Sequence, residues 1–342
     1  MLEIAIVGLD LAKNVFQVHG ADTEGAPVLR KKLRRTEVLP FFAKLPPCLV
    51  GMEACGGAHH WAREVSALGH QVRLIPPAYV KPFVKRGKTD AADAEAICEA
   101  VSRKTMRFVP VKSAEQQADA MVLKARELLV RQQTQAINAL RAHLHELGII
   151  AGAGVAKVSQ LIDIARDPDD PRIPATARVA LAAIVGQIDA LGQELRRLER
   201  TIVAMGKRDP DTQRLTTIPG VGAITAASIK ALVPDIGGFR SARHFAAWLG
   251  LTPKPHSSGG KERLGHISKM GNPTLRKLLV LGALAMLRRA KNAEPGLEWV
   301  ARLPARRPGK VVAVALANKT ARIVFALLSK GEVYRKPALA TA

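Results

Sequence analysis

Short apolar runs alternate with amphipathic stretches through the first hundred residues. Residues 4–9, 15–20, 48–52 and 72–75 are apolar runs of strand length, and 28–33 adds a further extended piece. Between them, residues 37–44 and 59–68 carry apolar positions at helical spacing. Further on the period changes. Ile184, Ile188, Leu191, Leu195, Leu198 and Ile202 recur at steps of 4 and 3, and Ile137, Leu140, Leu144 and Leu147 show the same alternation. That is a coiled-coil seam on two long helices. Pro168, Pro171 and Pro174 interrupt the pattern between them and predict a turn. The result is a helical hairpin, able to pair within the chain or with a second copy.

Three regions follow: an α/β unit over residues 1–110, a helical coiled-coil spacer over 111–208, and a mainly α-helical region over 209–342. Within the α/β unit, a pair of adjacent antiparallel strands precedes strand–helix units. That order predicts the ribonuclease-H-like plan, a mixed sheet with helices on both faces.

Charge separates the regions further. Residues 237–342 hold 20 Lys and Arg against 4 Asp and Glu, which is most of the formal net charge of +23. Such a surface attracts nucleic acid. Three cysteines, Cys48, Cys55 and Cys98, are too few and too irregular for a disulfide framework, so a reducing cytoplasm is expected. Cys55, His59 and His60 have no second pair at zinc-ligand spacing. The N-terminus meets an acid at Asp10 without a basic leader, which argues against a signal peptide, and no membrane span is expected.

Four acids stand in otherwise apolar surroundings. Asp10 and Glu53 each close a strand-like run and each follow a glycine by two residues, which predicts that they share one sheet edge. Asp90 and Asp93 are three apart in an Ala-rich stretch, residues 90–103, and leave one face if it is helical. Taken singly, Asp10 and Asp90 also suit helix starts. Together the four offer hard oxygen ligands for Mg²⁺ or Mn²⁺.

Two further segments carry candidate chemistry. Ile218-Pro-Gly-Val-Gly222 between helical runs resembles the turn of a helix-hairpin-helix element, in which Gly220 and Gly222 let backbone amides approach a DNA phosphate. Downstream, Ser257 and Ser258 lie in a Gly-rich loop flanked by Lys254, Lys261, Arg263, Lys269 and Arg276. A serine hydroxyl becomes a nucleophile when cations stabilise the anionic transition state or a base or metal takes its proton. A solvated Ser-Gly loop has the same composition.

Gly-x-Asp at Asp10, the later Glu53 and Thr-Asp-x-x-Asp at Asp90 and Asp93 resemble the DEDD site of a family of bacterial insertion-sequence transposases. Pro-x-x-x-Ser-Ser-Gly-Gly-Lys261, followed by Gly-x-Ile-Ser-Lys-x-Gly-Asn272, is similar to that family's C-terminal transposase domain. The resemblance implies a RuvC-like domain and a serine-bearing domain that build one composite site. It also implies a structured noncoding guide RNA that pairs with donor and target DNA. By position Asp10, Glu53, Asp90 and Asp93 become the metal-binding quartet and Ser258 the nucleophile, with Ser257 one residue away as the other candidate.

The residues and the resemblance together lead to the expectation of a Mg²⁺-dependent DNA recombinase acting as a homo-oligomer, dimer or tetramer, in the bacterial cytoplasm on nucleoid DNA, with RNA guidance implied by the resemblance alone. Two other classes are compatible with portions of the pattern. One is a metal-dependent, structure-specific nuclease of the junction-resolvase type, using water as nucleophile. The other is a DNA-architectural protein with structural acids, which leaves unexplained why carboxylates that repel phosphate cluster together.

Overall fold

The computed structural model describes residues 3–335 apart from 86, 88, 153, 234, 258, 262, 293–296 and 304–306. The chain forms two compact units, residues 1–117 and 118–342.

The first unit is built on five strands: β1 (Ile6–Asp10), β2 (Val15–Ala21), β3 (Pro27–Arg34), β4 (Leu49–Glu53) and β5 (Gln71–Ile75). Their order is β3-β2-β1-β4-β5. β1 and β2, and β2 and β3, pair antiparallel, whereas β4 runs parallel to both β1 and β5. The expected mixed sheet is present, and its strands fall within two residues of the apolar runs. Helices α1 (Val38–Phe42), α2 (Ala58–Ala67), α3 (Pro77–Val80) and α4 (Asp90–Ser102) complete the unit. Val7, Leu9, Phe16, Val18, Val50 and Met52 join Phe42, Trp61, Ala62 and Val65 in one core. Gly8, Gly51 and the residues in register with them face α4 instead.

That second face is closed by contact with backbone. A Cβ on Gly8 would lie 2.1 Å from the Ala94 carbonyl and 2.5 Å from the Cys98 nitrogen. A Cβ on Gly51 would meet Val101 at 2.8 Å. Gly8 and Gly51 are paired across β1 and β4, so α4 rests on two adjacent glycines.

The second unit opens with α5 (Ala114–Glu146), α6 (Val155–Arg166) and α7 (Ala175–Arg208). α5 and α7 run side by side in opposite directions: Arg126 bonds Glu199, the Gln133 amide bonds the Ile188 carbonyl, and Leu140 and Leu144 share a core with Leu181 and Val185. The hairpin is as expected, but its seam is shifted. Leu181, Val185, Ile188, Leu195, Ile202 and Gly206 are buried, whereas Ile184, Leu191 and Leu198 are half-buried along one flank. Two further half-buried positions that an apolar pattern misses meet the facing helix: Gly192, against the Gln133 amide, and Glu199, held by Arg126.

The remaining helices, α8 (Pro210–Thr216), α9 (Ala223–Leu232), α10 (Ala242–Trp248), α11 (Pro273–Lys291), α12 (Glu298–Ala301) and α13 (Gly309–Lys330), enclose an aliphatic core around Phe245, Leu249, Leu275, Leu279, Leu316 and Val324. A two-stranded hairpin, β6 (Pro253–Pro255) and β7 (Leu264–Ile267), projects between α10 and α11 in sequence. Contrary to expectation, α7 and α13 are long and apolar enough in length and composition to cross a membrane. The core helix of a folded protein has the same composition, and α13 lays Val312, Leu316, Ala317, Ala321 and Val324 into this core.

Gly8→Ala is expected to destabilise the protein by roughly 3 kcal/mol or more, because the clash is with helix backbone that cannot rotate away. Gly56→Ala, where no described residue lies within 4 Å of the added Cβ, should stay within about 0.5 kcal/mol of wild type. Chemical denaturation of both variants checks the contrast.

Candidate active site: a carboxylate quartet and a cationic hairpin

The glycine seat fixes the direction of α4. Cys98 Sγ reaches the Ile6 carbonyl at 3.9 Å, and Ala94 and Cys98 lie over Gly8. The helix therefore runs antiparallel to β1, and its N-terminal turn comes to the end of the strand where Asp10 stands. Asp90, Asp93, Ala94, Ile97, Cys98 and Val101 follow one helical face. Thr89 starts the helix by accepting the Ala92 N–H at 3.2 Å. Asp10 and Glu53, the last residues of β1 and β4, occupy the same sheet face as Gly8 and Gly51, two residues earlier.

Electrostatically, Asp10 feels the charges of the other three acids. The Asp10 carboxyl is half-buried and its pKa is pushed up to about 6, first by desolvation and then by the charges of Asp93, Asp90 and Glu53; the Leu11 N–H opposes the shift. Cys55 also feels Glu53 and Asp10, after burial, in an upward shift. Among the described residues, however, no three His, Cys, Asp or Glu side chains stand close enough together to hold a metal ion. The quartet is thus gathered within electrostatic reach without being closed to coordination distance. Its chemistry fits a hard divalent cation: the oxygen donors are all carboxylate, and positive charge would relieve the repulsion felt at Asp10. Missed by sequence reasoning is a neighbouring ion cluster, in which Glu95 on α4 takes Lys85 at 2.7 Å and Arg30 at 3.3 Å and is held below its ordinary pKa, chiefly by the Lys85 hydrogen bond.

In the second unit, the Ile218–Gly222 segment connects α8 to α9. Gly220 has φ +82° and packs against α11, where a Cβ would meet the Gly282 carbonyl and Met286 at 2.9 Å. Gly222 precedes the first turn of α9, and a Cβ there would meet nothing within 4 Å among the described residues. One of the two glycines therefore has a packing reason, and the other leaves its surroundings open.

The cationic hairpin has a firmly tied base. Arg276 Nη1 donates to the Leu249 and Met270 carbonyls at 3.0 and 2.8 Å. Asn318 donates to the Leu251 carbonyl, and the Ser268 N–H to the Thr252 carbonyl. Gly250 and Gly271 adopt φ +71° and +73° with backbone of the opposite limb packed against them. Lys269 is left-handed at φ 55°, an uncommon state for a residue with a side chain. Beyond this base Lys254, Lys261, Arg263 and Ser257 are exposed. Ser258 lies outside the described residues.

Comparisons with known proteins bear on this arrangement. A family profile described as Transposase, the DEDD type of IS110, matches residues 7–149, and a profile described as Transposase IS116/IS110/IS902 family matches residues 212–295. A probable family 20 transposase of Pseudomonas aeruginosa is 49% identical over 98% of this chain and 99% of its own length. The transposase for insertion sequence element IS1328 of Yersinia enterocolitica is 40% identical over 98% of this chain and the whole of its own. The chain belongs to the IS116/IS110/IS902 transposase family. As a transposase of this family it is an enzyme that acts on DNA in moving an insertion element. The mixed sheet of the first unit and the helices of the second are consistent with a DEDD domain of ribonuclease-H-like type followed by a helical region.

Asp10 gives a test of the quartet that needs no turnover. In the folded transposase its carboxyl holds a proton up to pH about 6, whereas the ordinary value is 3.8. Folding is therefore opposed increasingly as pH rises through that interval, and fully above it. In EDTA at pH 7.5, Asp10→Asn should unfold later than wild type, by on the order of 1 kcal/mol once solvent screening is allowed for. The gain should vanish below pH 4. A lower melting temperature at neutral pH would mark Asp10 as fold support.

Proposed function

We propose that this transposase is an RNA-guided DNA recombinase that cuts and rejoins DNA through a serine nucleophile assisted by a divalent metal. The observation that supports it is the glycine-seated helix that carries Asp90 and Asp93 to the strand ends bearing Asp10 and Glu53. DEDD-type domains are typically dependent on a divalent metal. Asp10, Glu53, Asp90 and Asp93 would hold Mg²⁺ or Mn²⁺, which would neutralise charge developing on the phosphate.

The chain's own residues supply the rest. Ser258 Oγ gives up its proton and attacks the phosphorus, a phosphodiester P–O bond breaks, and the departing strand leaves as a hydroxyl that takes up a proton. A phosphoserine link conserves the bond energy. Attack by a hydroxyl of another strand reverses the step, rejoins the DNA and returns the serine. Exposed Lys254, Lys261, Arg263 and Lys269 neutralise neighbouring phosphates, Arg276 holds the base of their hairpin, and the amides after Gly220 and Gly222 approach the backbone at the start of α9.

Partners complete the reading. The half-buried flank of α7, Ile184, Leu191 and Leu198, is the face on which a second copy would complete a coiled coil, giving a dimer or tetramer in the cytoplasm. Sequence choice is assigned to a structured noncoding RNA that pairs with donor and target DNA. Aromatic residues make up only 4% of the chain, few for a base-stacking platform, and base pairing can supply the specificity instead.

With wild-type protein, its RNA and Mg²⁺, trapping should yield a protein–DNA adduct. Ser258→Ala should lose the adduct and at least ~10³-fold of strand transfer while keeping DNA binding. Asp93→Asn or EDTA should abolish both products. Loss in Ser257→Ala with Ser258→Ala active would move the nucleophile by one residue. Active wild type without any adduct would favour hydrolysis by water, and recombination unaffected by omitting the RNA would remove the guide.

A further inference from the structure

The open edge of the first unit carries a row of cations on the same face as the quartet. Asp10 pairs in register with Gln17, and Gln17 with Lys32. Directly opposed residues of antiparallel strands project from one face. Lys32 therefore stands beside the acids, two strand spacings or about 10 Å across the sheet. Arg30 and Arg34, two residues to either side on β3, share that face. The ion pair from Arg30 to Glu95 on α4 independently fixes the direction, since α4 covers this face. Other cations of the segment are engaged elsewhere: Lys31 lies over the Phe41 ring at 5.5 Å and Arg35 over Trp61 at 5.0 Å. Lys32 and Arg34 are exposed, and neither side chain forms an ion pair with an acid among the described residues.

Four clustered carboxylates repel the phosphate chain they are to receive. Attraction has to come from cations close enough to share the same strand, and β3, with no strand beyond it among the described residues, leaves room for one to pass. We propose that Lys32 and Arg34 form a phosphate rail on the β3 edge, which holds the DNA strand whose adjoining phosphate reaches the quartet. The rail rests on the reading of the quartet as the place where phosphate is handled. Both residues act by binding and positioning.

Binding by the full-length double variant Lys32→Gln/Arg34→Gln tests the rail. Fluorescent single-stranded and duplex DNA and an RNA of the same sequence serve as probes, in EDTA so that no reaction is needed. The slope of log affinity against log salt should fall by about 2 for the DNA on the rail, with affinity roughly tenfold weaker at low salt. The melting temperature should be unchanged, and Lys32→Arg/Arg34→Lys should restore binding. An unchanged slope overturns the proposal, as does a loss confined to RNA. So does self-association of the variant with normal DNA binding, which would make these charges guards of an open strand edge. If Asp93→Asn abolishes strand cleavage while the double variant binds and cleaves as wild type, the rail alone fails. If the slope falls but wild type never cleaves, the rail stands and the catalytic reading fails.

Discussion

The first unit depends on the contact of one helix with two glycines. α4 approaches the sheet so closely that no side chain fits at Gly8 or Gly51. That closeness lets a helix turn deliver two carboxylates to strand ends that already carry two more. A larger residue at either position would lift the helix and separate the acids, whatever their own identities. The fold also opposes the gathering electrostatically. Asp10 bears the cost as a raised pKa, caused by burial and by the other three charges. Packing against glycine is what overcomes that opposition.

The second unit solves a different problem, that of projecting a cationic hairpin from an aliphatic core. Glycines with positive φ at both limbs, an arginine bridging two carbonyls and an asparagine from α13 hold the base. Exposed cations then stand beyond it with few internal demands on them. Arg276 is cationic in sequence like its neighbours, yet one of its nitrogens is committed to backbone.

Much of the sheet was legible because strand-length apolar runs leave few other options, and Asp10 and Glu53 could be placed at one edge from their shared distance to a glycine. The reason for that glycine was not legible. Nothing local in Gly-x-Asp says that a helix beginning eighty residues later will lie on it. The hairpin shows the same limit, since steps of four and three select Ile184, Leu191 and Leu198, which are half-buried, whereas Leu181 and Val185, outside that count, are buried. Their burial is decided by Leu140 and Leu144 on the facing helix, with which they share a core. The place of Lys32 beside the acids likewise emerges only from strand register, because twenty-two residues separate it from Asp10.

The glycine seat has a consequence for how copies of such a gene decay. Substitution at Gly8 or Gly51 destabilises the folded chain as a whole, and every activity declines with it. Substitution at a carboxylate leaves strands, hairpins and basic surfaces in place. Lineages of the second kind retain proteins that occupy the same DNA as intact copies, so an ageing population of elements would accumulate its own competitors.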